Sequence, residues 1–119
     1  MSSTGRVPIG WASRDITPRT PVALRGQFNL RIATRVLDPL TLTALAVEAG
    51  DEQAILVSAD LVAVDQMVMD GVRDGLPERL PDFDPRKVNV GATHTQTGPF
   101  CSRERGLQRD EDYLDAILA

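Results

Sequence analysis

Cysteine is nearly missing from this sequence: of 119 residues, Cys101 alone carries a thiol. An internal disulfide is thereby excluded, and the cytoplasm is the expected compartment. Histidine is as scarce, with His94 alone, so the chain by itself cannot build a site that needs two or three imidazoles. No apolar run approaches the ~20 residues that span a bilayer as a helix. The opening Met1-Ser-Ser-Thr-Gly-Arg6 lacks the apolar stretch of a secretory signal. An excess of positive charge is lacking as well: 13 Lys and Arg face 17 Asp and Glu, a net charge of −4. General nucleic-acid binding, which needs a positive field against phosphate, is excluded on that ground. Internal repeats and low-complexity tracts are absent.

What is present is ordinary for a globular domain, with 42% hydrophobic and 25% charged residues. The length suits one domain. Residues 1–8 are expected as a loose terminus and 9–119 as a single α/β domain. Ile9 to Ile16 reads as extended and stops at Thr17-Pro18, and residues 18–29, with Pro18, Pro21 and Gly26, read as a loop. Two strands follow, over 31–37 and 40–49, joined by the turn Asp38-Pro39 and forming an antiparallel wing. Ala54-Ile-Leu-Val57 is a continuous apolar run within a strand over 53–59, expected to be covered on both faces. Val64, Met67, Val68, Gly71, Val72 and Leu76 recur at helical spacing, which predicts a helix over 65–77 that Pro77 ends or kinks. Residues 81–87 form a turn-rich link to a strand over 88–92. Met67, Met69 and Trp11 are expected in the packing, Trp11 beneath the sheet. A final helix over 110–119 would carry Tyr113, Leu114, Ile117 and Leu118 on one face. It has no capping residue at its end, which leads to the expectation that the chain is the incomplete N-terminal portion of a larger catalytic domain.

Strand, helix and strand from 53 to 92 make a βαβ unit, whose two strands must run parallel. Parallel strands place their carboxyl ends on one edge of the sheet. Asp60 follows the first and His94 the second, so both should face the crevice where ligands sit in open α/β sheets. The window Gly91-Ala-Thr-His-Thr-Gln-Thr-Gly-Pro-Phe100 surrounds the histidine with Thr93, Thr95 and Thr97. Such hydroxyls can orient an imidazole as a metal ligand or base. A loop histidine bonded to backbone is the other reading, and the residues alone leave both open. Asp60, on the same edge, is placed to orient His94 through its second ring nitrogen. Cys101, seven residues beyond His94 and near Arg103 and Arg105, would pair with it in a thiol hydrolase; an incidental loop cysteine is the alternative.

His94-Thr-Gln-Thr-Gly-Pro99, preceded by Asn89-Val-Gly-Ala-Thr93, resembles the Ala-Thr-His-Thr-His-Ser-Gly-Pro segment of the neutral/alkaline, non-lysosomal ceramidases. Gly10-Trp-Ala-Ser-Arg-Asp-Ile-Thr-Pro18, the strands over 31–49 and Ser58-Ala-Asp-Leu61 agree in order and spacing. The resemblance covers residues 7–118, and only the N-terminal part of a family member. It implies a zinc-dependent amidohydrolase that cleaves the N-acyl amide bond of ceramide or a related lipid amide. It assigns His94 as a zinc ligand, and it places Gln96 at the catalytic position where the family has a second histidine. Glutamine can donate a hydrogen bond but cannot carry a proton near neutral pH. Phe100-Cys101 also replaces the family's paired glycines. The family's other zinc ligands, a His, a Glu and a Tyr, lie farther along a longer chain. The 119 residues alone are therefore expected to be inactive, with the missing C-terminal part of the same protein completing the zinc site and the contacts to the lipid amide. The alternative is a non-catalytic relative or partner-binding module, in which Gln96 and Phe100 mark lost chemistry.

Overall fold

The computed structural model describes residues 5–99. Six strands, one α-helix and one 3-10 turn follow in the order β1 (Ile9–Asp15), β2 (Val22–Leu24), β3 (Arg31–Ala33), β4 (Thr41–Ala49), β5 (Glu52–Ala59), α1 (Gln66–Arg79), the 3-10 turn Pro85–Lys87 and β6 (Val88–Ala92). The main sheet has the order β1-β4-β5-β6. β1 and β5 flank β4 antiparallel, and β6 joins β5 in parallel, with Val57 opposite Val90 and Ala59 opposite Ala92. The sheet is thus mixed and the class α/β, as the sequence predicts. β2 and β3 form a separate two-stranded ribbon.

One layer covers the sheet. Side chains alternate across a strand, so Val57 and Ala59 share a face with Val88 and Val90 on the neighbouring strand. Against that face α1 lays Val68, Met69 and Val72, and Ile16 and Leu61 close the cluster from the ends of β1 and β5. Ile16, Ala59, Leu61, Val68, Val88 and Val90 are buried. Burying a side chain of this size stabilises by about 1.5–3 kcal/mol.

Several expectations change. β3 covers only Arg31–Ala33 and pairs with β2, not with β4. β4 takes β1 as its partner instead, in a seven-residue register that sets Ala44 opposite Ala12. β2 occupies the stretch expected as loop; three residues leave no periodicity to read. β5 is not covered on both faces, since Leu56 is 49% exposed. Trp11 lies on that same open face and is 67% exposed, not packed beneath the sheet. The helix runs through Pro77 to Arg79. A proline so near the end removes a single bond, to the carbonyl of Arg73, and Leu80 N–H still reaches Leu76 O at 2.7 Å. Met69 packs on the core while Met67 is 44% exposed. Residues 1–4 and the expected helix over 110–119 lie outside the described residues.

Candidate functional site

The carboxyl edge of the parallel pair is built as the βαβ topology requires. Beyond β5 and β6 the ladder continues in the loops: Thr93 N–H donates to Ala59 O at 2.9 Å, and His94 N–H to Leu61 O at 3.0 Å. These bonds hold His94 at φ 66°, a left-handed conformation that a residue with a side chain adopts at a cost of about 1–3 kcal/mol. Its imidazole Nδ1 lies 2.8 Å from Val62 O. A carbonyl only accepts, so Nδ1 carries the hydrogen in this bond, and in the neutral ring Nε2 is the nitrogen with the lone pair. Metal-binding histidines are commonly fixed in this way. The ring is exposed and lines a cavity of about 320 Å³ with Arg25, Gly26, Phe28, Val62 and Ala63.

Asp60 and His94 do share this edge, but they do not bond one another. One Asp60 carboxylate oxygen accepts from Thr41 N–H at 2.9 Å and Thr41 Oγ1 at 3.1 Å. The other accepts from Thr93 Oγ1 at 3.1 Å. The group bonded to the ring is Val62 O, and Asp60 stands beside it, accepting from the hydroxyl of the adjacent Thr93.

Gln96 is placed by packing. Its backbone carbonyl accepts from Arg31 Nη2, and its side chain lies over Gly26. A Cβ on Gly26 would stand 2.8 Å from Gln96 Cγ and 2.9 Å from Gln96 Cβ, and the residue has φ +118°. Gln96 is absent from the lining of the His94 cavity. Thr95 and Thr97 turn to the other side of the loop, where with Asp60 they line a second cavity of about 490 Å³ beneath the ribbon. Their hydroxyls bond one another at 2.9 Å.

The ribbon forms the outer wall. Arg25 N–H donates to Gly98 O at 2.9 Å, and Leu24 bridges Pro99. Arg25 also pairs with Asp65 at 3.2 Å, both largely buried. Asp65 is the N-cap residue of α1 yet makes no side-chain cap bond, because its carboxylate is engaged by Arg25. Arg25, Phe28 and Val62 are site residues that the sequence reading misses. The left-handed Gly26 is the one local signal that pointed to this loop. Phe100, Cys101, Arg103 and Arg105, and with them the thiol-hydrolase arrangement, lie outside the described residues.

Among the described residues no group of three His, Cys, Asp or Glu could hold a metal ion. His94 therefore fits as a single donor, and these residues do not make a zinc site on their own. No described helix is long and apolar enough to cross a membrane.

No family model and no curated protein matches the sequence. Solved structures do. A ceramidase complexed with C2 superposes with a TM-score of 0.79 at 23% identity, over 94% of this chain and 19% of that one. The neutral ceramidase from Pseudomonas aeruginosa gives 0.77 at 23% identity, over 94% of this chain and 20% of its own. The chain thus has the fold of about one fifth of a neutral ceramidase, and the resemblance read from the His94 segment holds at the level of fold.

Proposed function

We propose that this chain forms part of a zinc-dependent amidohydrolase acting on the N-acyl bond of a lipid amide of the ceramide type, with His94 as one metal ligand. The observation that supports the reading most is the imidazole itself. Its Nδ1–H is committed to Val62 O, its Nε2 has no hydrogen-bond partner among the described residues, and its backbone is held in a left-handed conformation at the mouth of a cavity. A completed zinc centre supplies a Lewis acid for the amide carbonyl and a bound water of lowered pKa. The residues described here do the rest of the work at this edge. Val62 fixes the tautomer, Asp60 and Thr93 hold the loop, and Phe28 and Ala63 give the cavity an apolar wall beside the Arg25 side chain. The similar structures include neutral ceramidases, which motivates the choice of amide.

One observation favours a second reading, a non-catalytic relative. Gln96 stands where the resemblance calls for a catalytic histidine, and it is engaged in packing on Gly26. The experiment is hydrolysis of a fluorogenic N-acyl sphingoid amide by the chain alone and by its longest natural reading frame, with and without a chelator and with His94→Ala. The 119 residues alone are expected to be inactive. The longer protein is expected to turn over substrate, to lose activity to the chelator, and to fall by a hundredfold or more in His94→Ala. Turnover that survives His94→Ala removes the ligand assignment. A longer protein without turnover establishes the non-catalytic reading.

A further inference from the structure

Among the described residues the main sheet has two free edges, β1 and β6, and they are unlike. All seven residues of β1 are exposed. Hydrogen bonds alternate along an antiparallel pair, so half of the backbone groups of β1 turn to β4 and half turn away. The ends of the strand show which half. Glu48 N–H donates to Pro8 O at 3.0 Å and Ile16 N–H to Leu40 O at 2.8 Å, in a register that sets Ile9 opposite Val47. Gly10, Ala12 and Arg14 therefore bond to β4. Ile9, Trp11, Ser13 and Asp15 turn their N–H and C=O outward, and these groups find no partner among the described residues. Such a row is a template for another strand, which proteins commonly block with lysine, proline or a bulge. β1 has none of these between Pro8 and Pro18. β6 is shorter, holds Gly91 and begins directly after Arg86 and Lys87.

Self-complementarity identifies the partner. A strand can pair antiparallel with its own copy about a two-fold axis, each surface meeting itself. One register satisfies every outward group: centred on Ala12, it sets Ile9 against Asp15 of the copy and Trp11 against Ser13. Shifted towards Asp15, the pairing sets Ile9 against Thr17, whose N–H is taken by the Asp15 carboxylate at 2.8 Å. Shifted the other way, it sets Asp15 against Val7, which lies outside the strand. In the centred register no like charges meet, because Arg14 faces Gly10 and Asp15 faces Ile9. Ala12 meets its own copy on the axis, in a pair without hydrogen bonds, where opposite side chains come closest and a small one fits.

We propose that two copies of this chain pair antiparallel through β1, joining their sheets into one. Each copy contributes the outward N–H and C=O groups of Ile9, Trp11, Ser13 and Asp15. Trp11 of one copy then stands diagonally across the axis from Trp11 of the other, about 7–8 Å away and within reach of an aromatic ring. The joined edge lies across the sheet from β6, the strand that leads to His94. The inference goes beyond the amidohydrolase reading and does not rest on it, because association is measured without chemistry.

The test is sedimentation equilibrium of the 119-residue chain over a range of concentration, with amide exchange measured at both ends of that range. A dimer is expected. The amides of Trp11 and Ser13 should gain protection as it forms, whereas those of Gly10, Ala12 and Arg14 are protected in the monomer already. Trp11 is the only tryptophan, so an exciton couplet of indole bands in circular dichroism should grow with the dimer and vanish on dilution. Ser13→Pro removes an outward N–H and leaves the bonds to β4 in place. Trp11→Lys sets two like charges beside the axis. Each should raise the dissociation constant at least about tenfold. Leu56→Ser, on the open face and away from the edge, should associate as the parent does. The substituted side chains are exposed, and far-ultraviolet circular dichroism reports that each variant keeps its fold. A parent that stays monomeric up to about 1 mM, a dimer whose Trp11 and Ser13 amides stay unprotected, or a dimer lost in Leu56→Ser and kept in Ser13→Pro would each overturn the proposal.

Discussion

The β5–α1–β6 unit and the β2–β3 ribbon meet at His94, and they are held in place by opposite means. The unit contains most of the buried core: Ala59, Leu61, Val68, Val88 and Val90 all fall between Glu52 and Ala92. No residue of β2 or β3 is buried. The ribbon is held by directional contacts to the 94–99 loop and to α1, namely the Leu24–Pro99 bridge, the Arg25 bonds to Gly98 and Asp65, and the Arg31 bond to Gln96. Apolar burial is non-directional and adds over area, whereas each such polar contact is worth about 1 kcal/mol net. The histidine is thus delivered by a packed unit and enclosed by a lightly held one. Local stability should differ between them in the same way.

The largest effect that tests this contrast is expected from Leu61→Ala. Leu61 is 1% exposed in the core cluster, and its carbonyl accepts from His94 N–H. Truncation should cost about 2–5 kcal/mol in urea unfolding, through lost transfer energy and the cavity left behind. A cost well below that range would mean that the core lies elsewhere.

Gly26→Ala tests the other region and should cost less. At φ +118° any side chain is strained, and the new Cβ would meet Gln96 Cγ at 2.8 Å and Gln96 Cβ at 2.9 Å. The expected loss is about 1–3 kcal/mol, felt in the docking of the ribbon. In hydrogen exchange, the amide of Arg25, bonded to Gly98, should lose protection while those in β5 and β6 keep theirs. Gln96→Gly in the same chain should recover the steric part and leave the backbone part. Equal loss in both regions would show that ribbon and unit unfold as one.

The same division explains what could be read from the residues. The unit is encoded locally: an apolar run, a helical stripe and a second short strand with turns between them specify type, order and parallel pairing. The edge position of Asp60 and His94 follows from that topology. The ribbon is encoded by contacts across distance. Leu24 meets Pro99, and Arg31 meets Gln96 65 positions away, and no periodicity in three-residue strands announces either. The pairing of β1 with β4 is not legible because Arg31 to Leu37 alternates like a strand and lies nearer along the chain, whereas Ile9–Asp15 offers seven residues of register. Val62 as the partner of His94 was invisible for a different reason. The bond is to a backbone carbonyl, which any residue at that position would offer.

The smallest expected effect lies in the return from α1 to β6 and is confined to acid. Asp84 precedes the 3-10 turn and accepts from Arg86 N–H and from the Arg86 guanidinium. Those bonds lower its carboxyl from the ordinary 3.8 to about 2. A carboxyl depressed in the folded state adds stability above its unfolded pKa, and the gain is lost as pH falls through the folded value. The gain is therefore complete above about pH 4 and gone near pH 2. The pair is exposed and screened, so the effect is slight. Asp15, lowered by its hydrogen bonds from Thr17, titrates in both proteins and cancels in the comparison. Asp84→Asn should be slightly less stable than the parent at pH 5 and indistinguishable from it at pH 2. The difference should be read in α1 and β6 amide exchange and not in the ribbon. A difference that persists unchanged to pH 2 would show that the side chain does not act through its charge.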